Sequence, residues 1–173
     1  MLLFFVLLVL VGLWLRSRAR QLSISSFEEC VNAGYPVTES YPSSCRIPDG
    51  KVFTQDIGNE LEKQDLVRVD EPRPNTTVSS PLIIRGEARG DWFFEASFPI
   101  RLVDENGKEL GRSVATAKGE WMTEDFVPFE SELNFDAKSA SGGMLILEKD
   151  NPSGLPENAD ELSVPVRFGD IGK

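Results

Sequence analysis

Short apolar runs that alternate with polar residues mark most of the chain after residue 65, and turn-forming residues separate them. Alternation with a period of two is typical of strands with one buried face. Residues 144–147 are almost continuously apolar, so we expect both faces of that strand to be covered. Pro165 lies within the last run and indicates an edge strand, where a missing N–H donor is tolerated. The pattern predicts an all-β sandwich of seven strands over residues 66–168, at 66–69, 82–88, two hairpin arms within 96–117, 126–135, 144–147 and 162–168.

The two hairpin arms meet at Asn106-Gly107, a dipeptide that tolerates positive φ and favours a tight turn. A two-residue loop there would place Arg101 opposite Arg112, and like charges directly opposite each other are destabilising. A type I turn followed by a left-handed Gly107 gives a different register. We therefore predict the second register, which pairs Leu102 with Leu110 and Asp104 with Lys108.

The first fifteen residues carry no charged side chain and are followed by arginines at 16, 18 and 20. A helix of this length spans roughly 22 Å, less than the roughly 30 Å of a bilayer core. Trp14 at the interface and snorkelling arginines would extend it, so we interpret residues 1–20 as a membrane anchor or an uncleaved signal. A cleaved export signal and a buried core helix are the alternatives. The lack of a basic segment before the run and of a small-residue cleavage site disfavours cleavage.

The three arginines conflict with export, because the positive-inside rule keeps the segment that follows them in the cytoplasm. The cysteines and the sandwich downstream favour export instead. We expect a single-pass protein of the cell membrane whose soluble part is extracytoplasmic. We also expect a start codon upstream of Met1, since additional residues there would restore the charge balance.

Residues 21–55 form a two-cysteine module that is too small to bury a large core. Residues 26–29, SFEE, match a capping box that begins a short helix, and Gly34 is a natural terminator for it. A turn at 48–50 joins two short strands. A disulfide between Cys30 and Cys45 would close a loop of about fifteen residues and add up to ~3 kcal/mol. A reactive thiol pair is the alternative, and a disulfide favours an oxidising compartment.

The net charge is −10 and the chain contains no histidine. Phosphate binding needs clustered Lys and Arg, so an acidic chain excludes nucleic acid as a partner. The absence of histidine removes the usual general base and the usual transition-metal ligand, and two cysteines alone do not complete a tetrahedral metal shell. We expect no cofactor, no metal and no enzymatic activity.

The loop at 148–157 is the most polar and turn-rich segment of the sandwich. One interpretation makes it a binding loop, as in other sandwich domains, and the other makes it a rigid connection whose side chains satisfy backbone amides. Calcium binding by Asp150, Asn151, Glu157 and Asp160 is a weaker alternative, because no fixed ligand spacing is present. The candidate binding residues are Glu148, Lys149, Asp150, Asn151, Ser153 and Glu157.

Three aromatic residues before strands form a second candidate site: Trp92, Phe93 and Trp121. They are interpreted either as a stacking platform for a sugar or peptide or, as is usual near strand ends, as core packing.

Several motifs occur in the order found in one family: EARG at 87–90, WFFEASFP at 92–99, GEWMTEDF at 119–126 and LEKDNPSG at 147–154. Over residues 66–168 the chain resembles the immunoglobulin-like domain of bacterial spore germination proteins. The resemblance implies a seven-stranded immunoglobulin-like sandwich of the cell envelope that mediates binding rather than catalysis. Residues 56–65 are then a linker with a helical turn, and residues 169–173 are a tail.

The sequence therefore predicts a membrane-tethered envelope protein that acts in non-catalytic binding or adhesion, with an envelope protein or cell-wall glycan as the partner. One alternative is an envelope hydrolase that uses the carboxylates Glu95, Glu124 and Glu148. The other is a protease-inhibitor-like role for an exposed loop at 35–44 of the two-cysteine module.

Overall fold

A computed structural model describes residues 23–137 and 140–169 of the chain. The chain divides into two compact units, residues 1–55 and residues 56–173, and each is described here by itself. The predicted anchor at 1–20 lies outside the described residues. Among the residues that are described, no helix is long and apolar enough to cross a membrane.

The first unit contains helix α1 (Phe27–Asn32) and a hairpin of strands β1 (Ser44–Arg46) and β2 (Val52–Thr54). The predicted cap is confirmed, because the Glu29 amide donates to the Ser26 hydroxyl at 3.1 Å. The Glu29 carboxylate accepts from the Ser25 amide at 2.7 Å, which lies one residue further back than a capping box requires. The hydrogen bonds from Ser25 lower the pKa of Glu29 below its ordinary value.

The predicted disulfide between Cys30 and Cys45 is confirmed, and it joins α1 to β1 with a Cα–Cα distance of 6.1 Å. Both cysteines are fully buried, and Phe53 of β2 is the other buried member of their cluster. This small cluster is the core of the first unit, so the covalent bond supplies stability that apolar burial alone does not.

The second unit begins with the short helix α2 (Glu60–Lys63), which precedes a β-sandwich. All seven predicted strands are present. The structure adds an eighth among the described residues, Thr77–Val78, which pairs in parallel with the last strand. Two residues are too few for a periodic signal, so the sequence indicated only a connection there. The strands are β3 (Val67–Glu71), β4 (Thr77–Val78), β5 (Leu82–Arg89), β6 (Ser97–Asp104), β7 (Glu109–Ala117), β8 (Phe126–Leu133), β9 (Gly142–Glu148) and β10 (Glu161–Phe168).

Hydrogen bonds link the strands in the order β3-β5-β8-β7-β6-β9-β10-β4. Strands β7 and β8 share only two residue pairs, Thr116 with Glu130 and Ala117 with Phe129. The sheet folds at this point into two layers, β3-β5-β8 and β7-β6-β9-β10-β4. Side chains from both layers form one buried cluster, and the rings of Phe98 on β6 and Phe129 on β8 meet across it at 4.9 Å. This arrangement is the β-sandwich that the pattern predicted, and it is the sheet-rich immunoglobulin-like fold that the resemblance implied.

The turn of the β6–β7 hairpin is as predicted. Gly107 has a φ of +77°, and the Asp104 amide donates to the Lys108 carbonyl at 2.9 Å. A type I turn followed by a left-handed glycine therefore connects the strands.

The register beyond this turn was predicted wrongly. A β-bulge follows within two residues of the turn, so Leu102 pairs with Gly111 rather than with Leu110. The same shift places Arg101 opposite Arg112. The prediction rested on repulsion between the two arginines, and a glutamate paired with each arginine offsets that repulsion. The bulge places one additional residue on β7, which accounts for the change of register after the turn.

Candidate binding surface at one end of the sandwich

Three connections lie at the same end of the sandwich: residues 90–97 between β5 and β6, residues 118–125 between β7 and β8, and residues 148–160 from the end of β9 to the start of β10. We call them together the loop end. In an antiparallel sandwich, alternate connections gather at one end, which is where immunoglobulin-like domains carry recognition loops.

Direct contacts hold the first and third loops together. The Asp150 amide donates to the Trp92 carbonyl at 3.1 Å, and the Lys149 ammonium lies 3.3 Å from the Asp91 carboxylate. The Lys149 amide also donates to the Asp160 carbonyl at 2.8 Å, which closes the base of the third loop. The two loops are thus positioned by backbone hydrogen bonds as well as by charge.

The second loop is joined to the base of the first. Arg89 donates to the Glu124 carbonyl at 2.8 Å. Gly90 lies so close to the carbonyl oxygens of Trp121 and Thr123 that the backbones are in contact. The loop end is therefore a connected surface rather than three independent segments.

Side chains within the 148–157 segment are used by the loop itself. Asn151 donates to the Leu155 carbonyl at 2.8 Å, and the Ser153 hydroxyl contacts Asn151 Oδ1 and accepts from the Leu155 amide. These bonds hold the loop in one shape, which is the behaviour that the rigid-connection interpretation describes. Asn151 and Ser153 therefore act in loop structure, whereas Glu157 is exposed.

The charged residues at the base of the same loop take part in ion pairs. Glu148 accepts from Arg101, with a distance of 2.7 Å between Nη2 and Oε1, and Lys149 is paired with Asp91. The carboxylate of Asp150 forms no ion pair with the described residues. An indentation of about 580 Å³ lies beside it, between the two ends of the loop. Among the described residues no three carboxylates converge on a metal position, and Asn151 is bonded to the loop rather than free to bind calcium.

The aromatic platform is not formed, because Trp92 is 0% exposed and Phe93 is 4% exposed. Phe93 packs edge to face on Phe98 with 5.2 Å between ring centroids. Trp121 is partly exposed and packs against the same core. Rings that are covered by protein do not offer a face to a ligand in solvent, so these residues contribute to the sandwich core.

The apolar surface of the loop end comes from residues that the sequence did not single out. Phe94 is 42% exposed, Met122 is 74% exposed and Leu155 is 49% exposed, one on each loop. Phe94 belongs to the same aromatic run as Trp92 and Phe93. These residues lie in a tight connection without regular periodicity, so the sequence does not distinguish the exposed ring from the buried ones. Large exposed apolar side chains are common at protein interaction sites.

The loop end also carries most of the net charge. Its three segments contain nine carboxylates and two lysines, a formal charge of −7 out of −10 for the chain. The surface therefore combines exposed apolar side chains with many surrounding carboxylates.

Comparison with protein families gives one match. The family described as the immunoglobulin-like domain of bacterial spore germination matches residues 66–154, which include all strands from β3 to β9 and the start of the third loop. No curated protein and no solved structure matches the chain.

Proposed function

The chain belongs to the immunoglobulin-like domain family of bacterial spore germination, and on that premise we propose that it is a non-catalytic binding module of the bacterial cell envelope that engages its partner through the loop end. Members of this family are typically non-catalytic. The observation that carries the proposal is the connected set of three loops, each with one exposed apolar side chain.

The chemistry of this surface favours a protein partner over a cell-wall glycan. Apolar side chains at the loop end bind apolar side chains of a partner, and the surrounding carboxylates favour Lys and Arg around them. Glycan recognition usually involves a platform of exposed aromatic faces. At the loop end Trp92 and Phe93 are buried and Trp121 is only partly exposed, which leaves Phe94 as the one well-exposed ring among the described residues of these loops. We therefore infer an envelope protein that presents an apolar and basic surface.

The test compares matched variants in a pull-down from solubilised envelope with residues 21–173 as bait. We expect Met122→Ser and Leu155→Ser to lower recovery of a specific partner by about tenfold, in line with the loss of an interface anchor. Val114→Ser is the control, because Val114 is 54% exposed but lies on β7 rather than on the loop end. Equal recovery by all three variants would contradict the proposal. Recovery of cell-wall glycan in place of protein would contradict the partner class.

For location, we propose that residues 1–15 anchor the chain in the membrane and that the two units lie outside the cytoplasm. The disulfide between Cys30 and Cys45 supports an oxidising compartment. Protease added to spheroplasts should digest the soluble part. Protection of that part until the membrane is permeabilised would refute the proposed topology.

A further inference from the structure

The first loop of the loop end reverses direction through a two-residue hairpin turn whose central residues are Glu95 and Ala96. The Phe94 amide donates to the Ser97 carbonyl at 2.9 Å, and the Ser97 amide donates back to the Phe94 carbonyl at 3.0 Å. Glu95 has a φ of +50° and Ala96 has a φ of +62°. Two consecutive positive φ values inside such a pair are the signature of a type I′ turn.

Neither central residue suits this conformation. Type I′ turns strongly favour Asn, Asp or Gly, because in the left-handed region a Cβ atom lies too close to the following carbonyl oxygen. Elsewhere among residues 23–137 and 140–169, positive φ occurs only at Asn75 and at the glycines in positions 34, 50, 58, 107 and 154. Of the described residues with positive φ, only those of the Glu95-Ala96 turn are therefore of a type that the conformation disfavours.

Neighbouring backbone holds the turn in this strained state. The Ala96 carbonyl accepts from the Ala117 amide at the end of β7 at 2.9 Å. The Ser97 hydroxyl also donates to the Phe94 carbonyl at 3.3 Å. Strained backbone persists only where its surroundings over-determine it, and such positions concentrate at active sites and ligand clamps.

No contact of the Glu95 side chain within the protein accounts for the strain. The side chain is exposed and forms no hydrogen bond or ion pair with the described residues. Glu120 of the second loop behaves differently, because its carboxylate accepts from the Met122 amide at 3.1 Å and so stabilises its own loop. Glu95 thus presents a carboxylate to solvent next to Phe94, which is 42% exposed.

Given the proposed function, on which this inference rests, we propose that Glu95 is a specificity-determining residue of the loop end. It binds a Lys or Arg side chain of the partner while Phe94 contacts apolar side chains beside it. The turn fixes both side chains before the partner binds, so less conformational entropy is lost than with a mobile loop. Asn or Gly at position 95 would relieve the strain but would lose the charge that selects a basic residue and rejects an acidic one.

The first experiment tests the strain by urea unfolding of the full chain in mild detergent, followed by circular dichroism. Ala96→Gly should raise the urea midpoint, because glycine adopts positive φ without the Cβ penalty. Ala159→Gly is the matched control and should not raise it, since Ala159 is exposed on the third loop with a φ of −77°. Glu95→Asn should also raise the midpoint, whereas Glu95→Gln should not, because asparagine tolerates the left-handed region better than glutamine. If neither Ala96→Gly nor Glu95→Asn raised the midpoint, the turn would not be strained and the inference would be overturned.

The second experiment tests recognition with a phage-displayed library of random peptides as the probe and the immobilised full chain as the target. Peptides selected by the wild type should carry Lys or Arg beside large apolar residues. Glu95→Gln should weaken their binding about tenfold, and selection on Glu95→Lys should enrich Asp and Glu instead. Glu95→Asp keeps the carboxylate and should retain most of the binding. Glu132→Gln is the control, because it removes the same charge from β8, away from the loop end.

Met122→Ser separates the failure of this inference from the failure of the proposed function. If the selected peptides bind Met122→Ser as well as they bind the wild type, the loop end is not the binding surface and both are overturned. If Met122→Ser weakens binding and Glu95→Gln does not, the role of Glu95 alone is overturned. An equal loss in Glu95→Gln and Glu132→Gln would overturn that role too, since net charge would then explain the loss, and so would a selection on the wild type that enriches no basic residue.

Discussion

Arg101 lies directly opposite Arg112 across the β6–β7 hairpin, and each guanidinium is paired with a different glutamate. Arg101 contacts Glu148 of the neighbouring strand β9, and Arg112 contacts Glu109 three residues earlier on its own strand. The hydrogen bond to Glu148 raises the pKa of Arg101, and the hydrogen bond to Glu109 raises that of Arg112. Two like charges are tolerated face to face because each has its own counter-ion.

We predict that Glu148→Gln lowers the free energy of unfolding by about 1 kcal/mol, because it leaves two arginines facing each other with one counter-ion. Glu109→Gln should cost less, because that pair is more exposed and joins residues of one strand. Urea unfolding followed by circular dichroism measures both. A higher salt concentration should reduce the difference between the two losses of unfolding free energy, because salt screens the charges. A larger loss for Glu109→Gln than for Glu148→Gln would contradict this explanation.

Glu130 gives a prediction about acid stability. Arg85 donates to it at 2.9 Å and Lys118 lies 3.4 Å away, and the hydrogen bond to Arg85 lowers the pKa of Glu130 below its ordinary value of 4.5. A lowered folded-state pKa stabilises the protein above the unfolded-state value, and this contribution is lost as the pH falls through the folded-state pKa.

The chemical shift of the Glu130 side-chain carboxyl, followed by NMR as the pH is changed, should therefore have its titration midpoint below pH 4.5. Arg85→Gln should move that midpoint upward. Glu132 of the same strand forms no ion pair with the described residues, so Glu132→Gln is the control and should leave the Glu130 midpoint unchanged. A Glu130 midpoint that does not respond to Arg85→Gln would contradict the assigned cause.

The disulfide should decide whether the first unit folds. Its closed loop spans a sequence separation of 15, so removal of the bond costs about 3 kcal/mol in the chain-entropy model. Among the described residues, Phe53 is the only buried side chain besides the two cysteines in this cluster. We expect the double variant Cys30→Ser and Cys45→Ser to lose dispersed amide resonances from residues 23–55. Resonances of the sandwich should remain, since it has its own core. A first unit that stays dispersed would show that the disulfide is not its main source of stability.

The sequence predicted strands, turns and the disulfide because these depend on local or pairwise features. One amino-acid sequence is enough to recognise the alternation of apolar and polar residues, the glycine at position 107 in its turn, and the two cysteines. The register of the hairpin was not predictable, because a bulge places Leu102 opposite Gly111. The same register brings two arginines together, and their charge is balanced in part by Glu148, which lies on a strand over thirty residues further along the chain. Long-range partners of this kind leave no local signal.

The candidate site was predictable in position but not in detail. The polar loop after β9 was recognised from its composition, yet its side chains bond mainly to each other. Exposure of Phe94, Met122 and Leu155 depends on how three loops meet, which requires the topology of both layers. Asn59 was assigned to a linker because its partners, Glu161 and Ser163, lie about a hundred residues further along the chain.

Phe98 and Phe94 provide a matched comparison of a core ring and a surface ring in one segment. Phe98 is fully buried between the rings of Phe93 at 5.2 Å and Phe129 at 4.9 Å, whereas Phe94 is 42% exposed. Phe98→Leu removes both edge-to-face contacts and leaves a cavity between the layers, so we predict a loss of about 1.5 kcal/mol in unfolding free energy. Phe94→Leu keeps an apolar side chain at a position with few contacts to lose, and its effect should stay within about 0.5 kcal/mol. Chemical denaturation of both variants measures the difference. Equal losses would mean that Phe98 does not join the two layers as its ring contacts indicate.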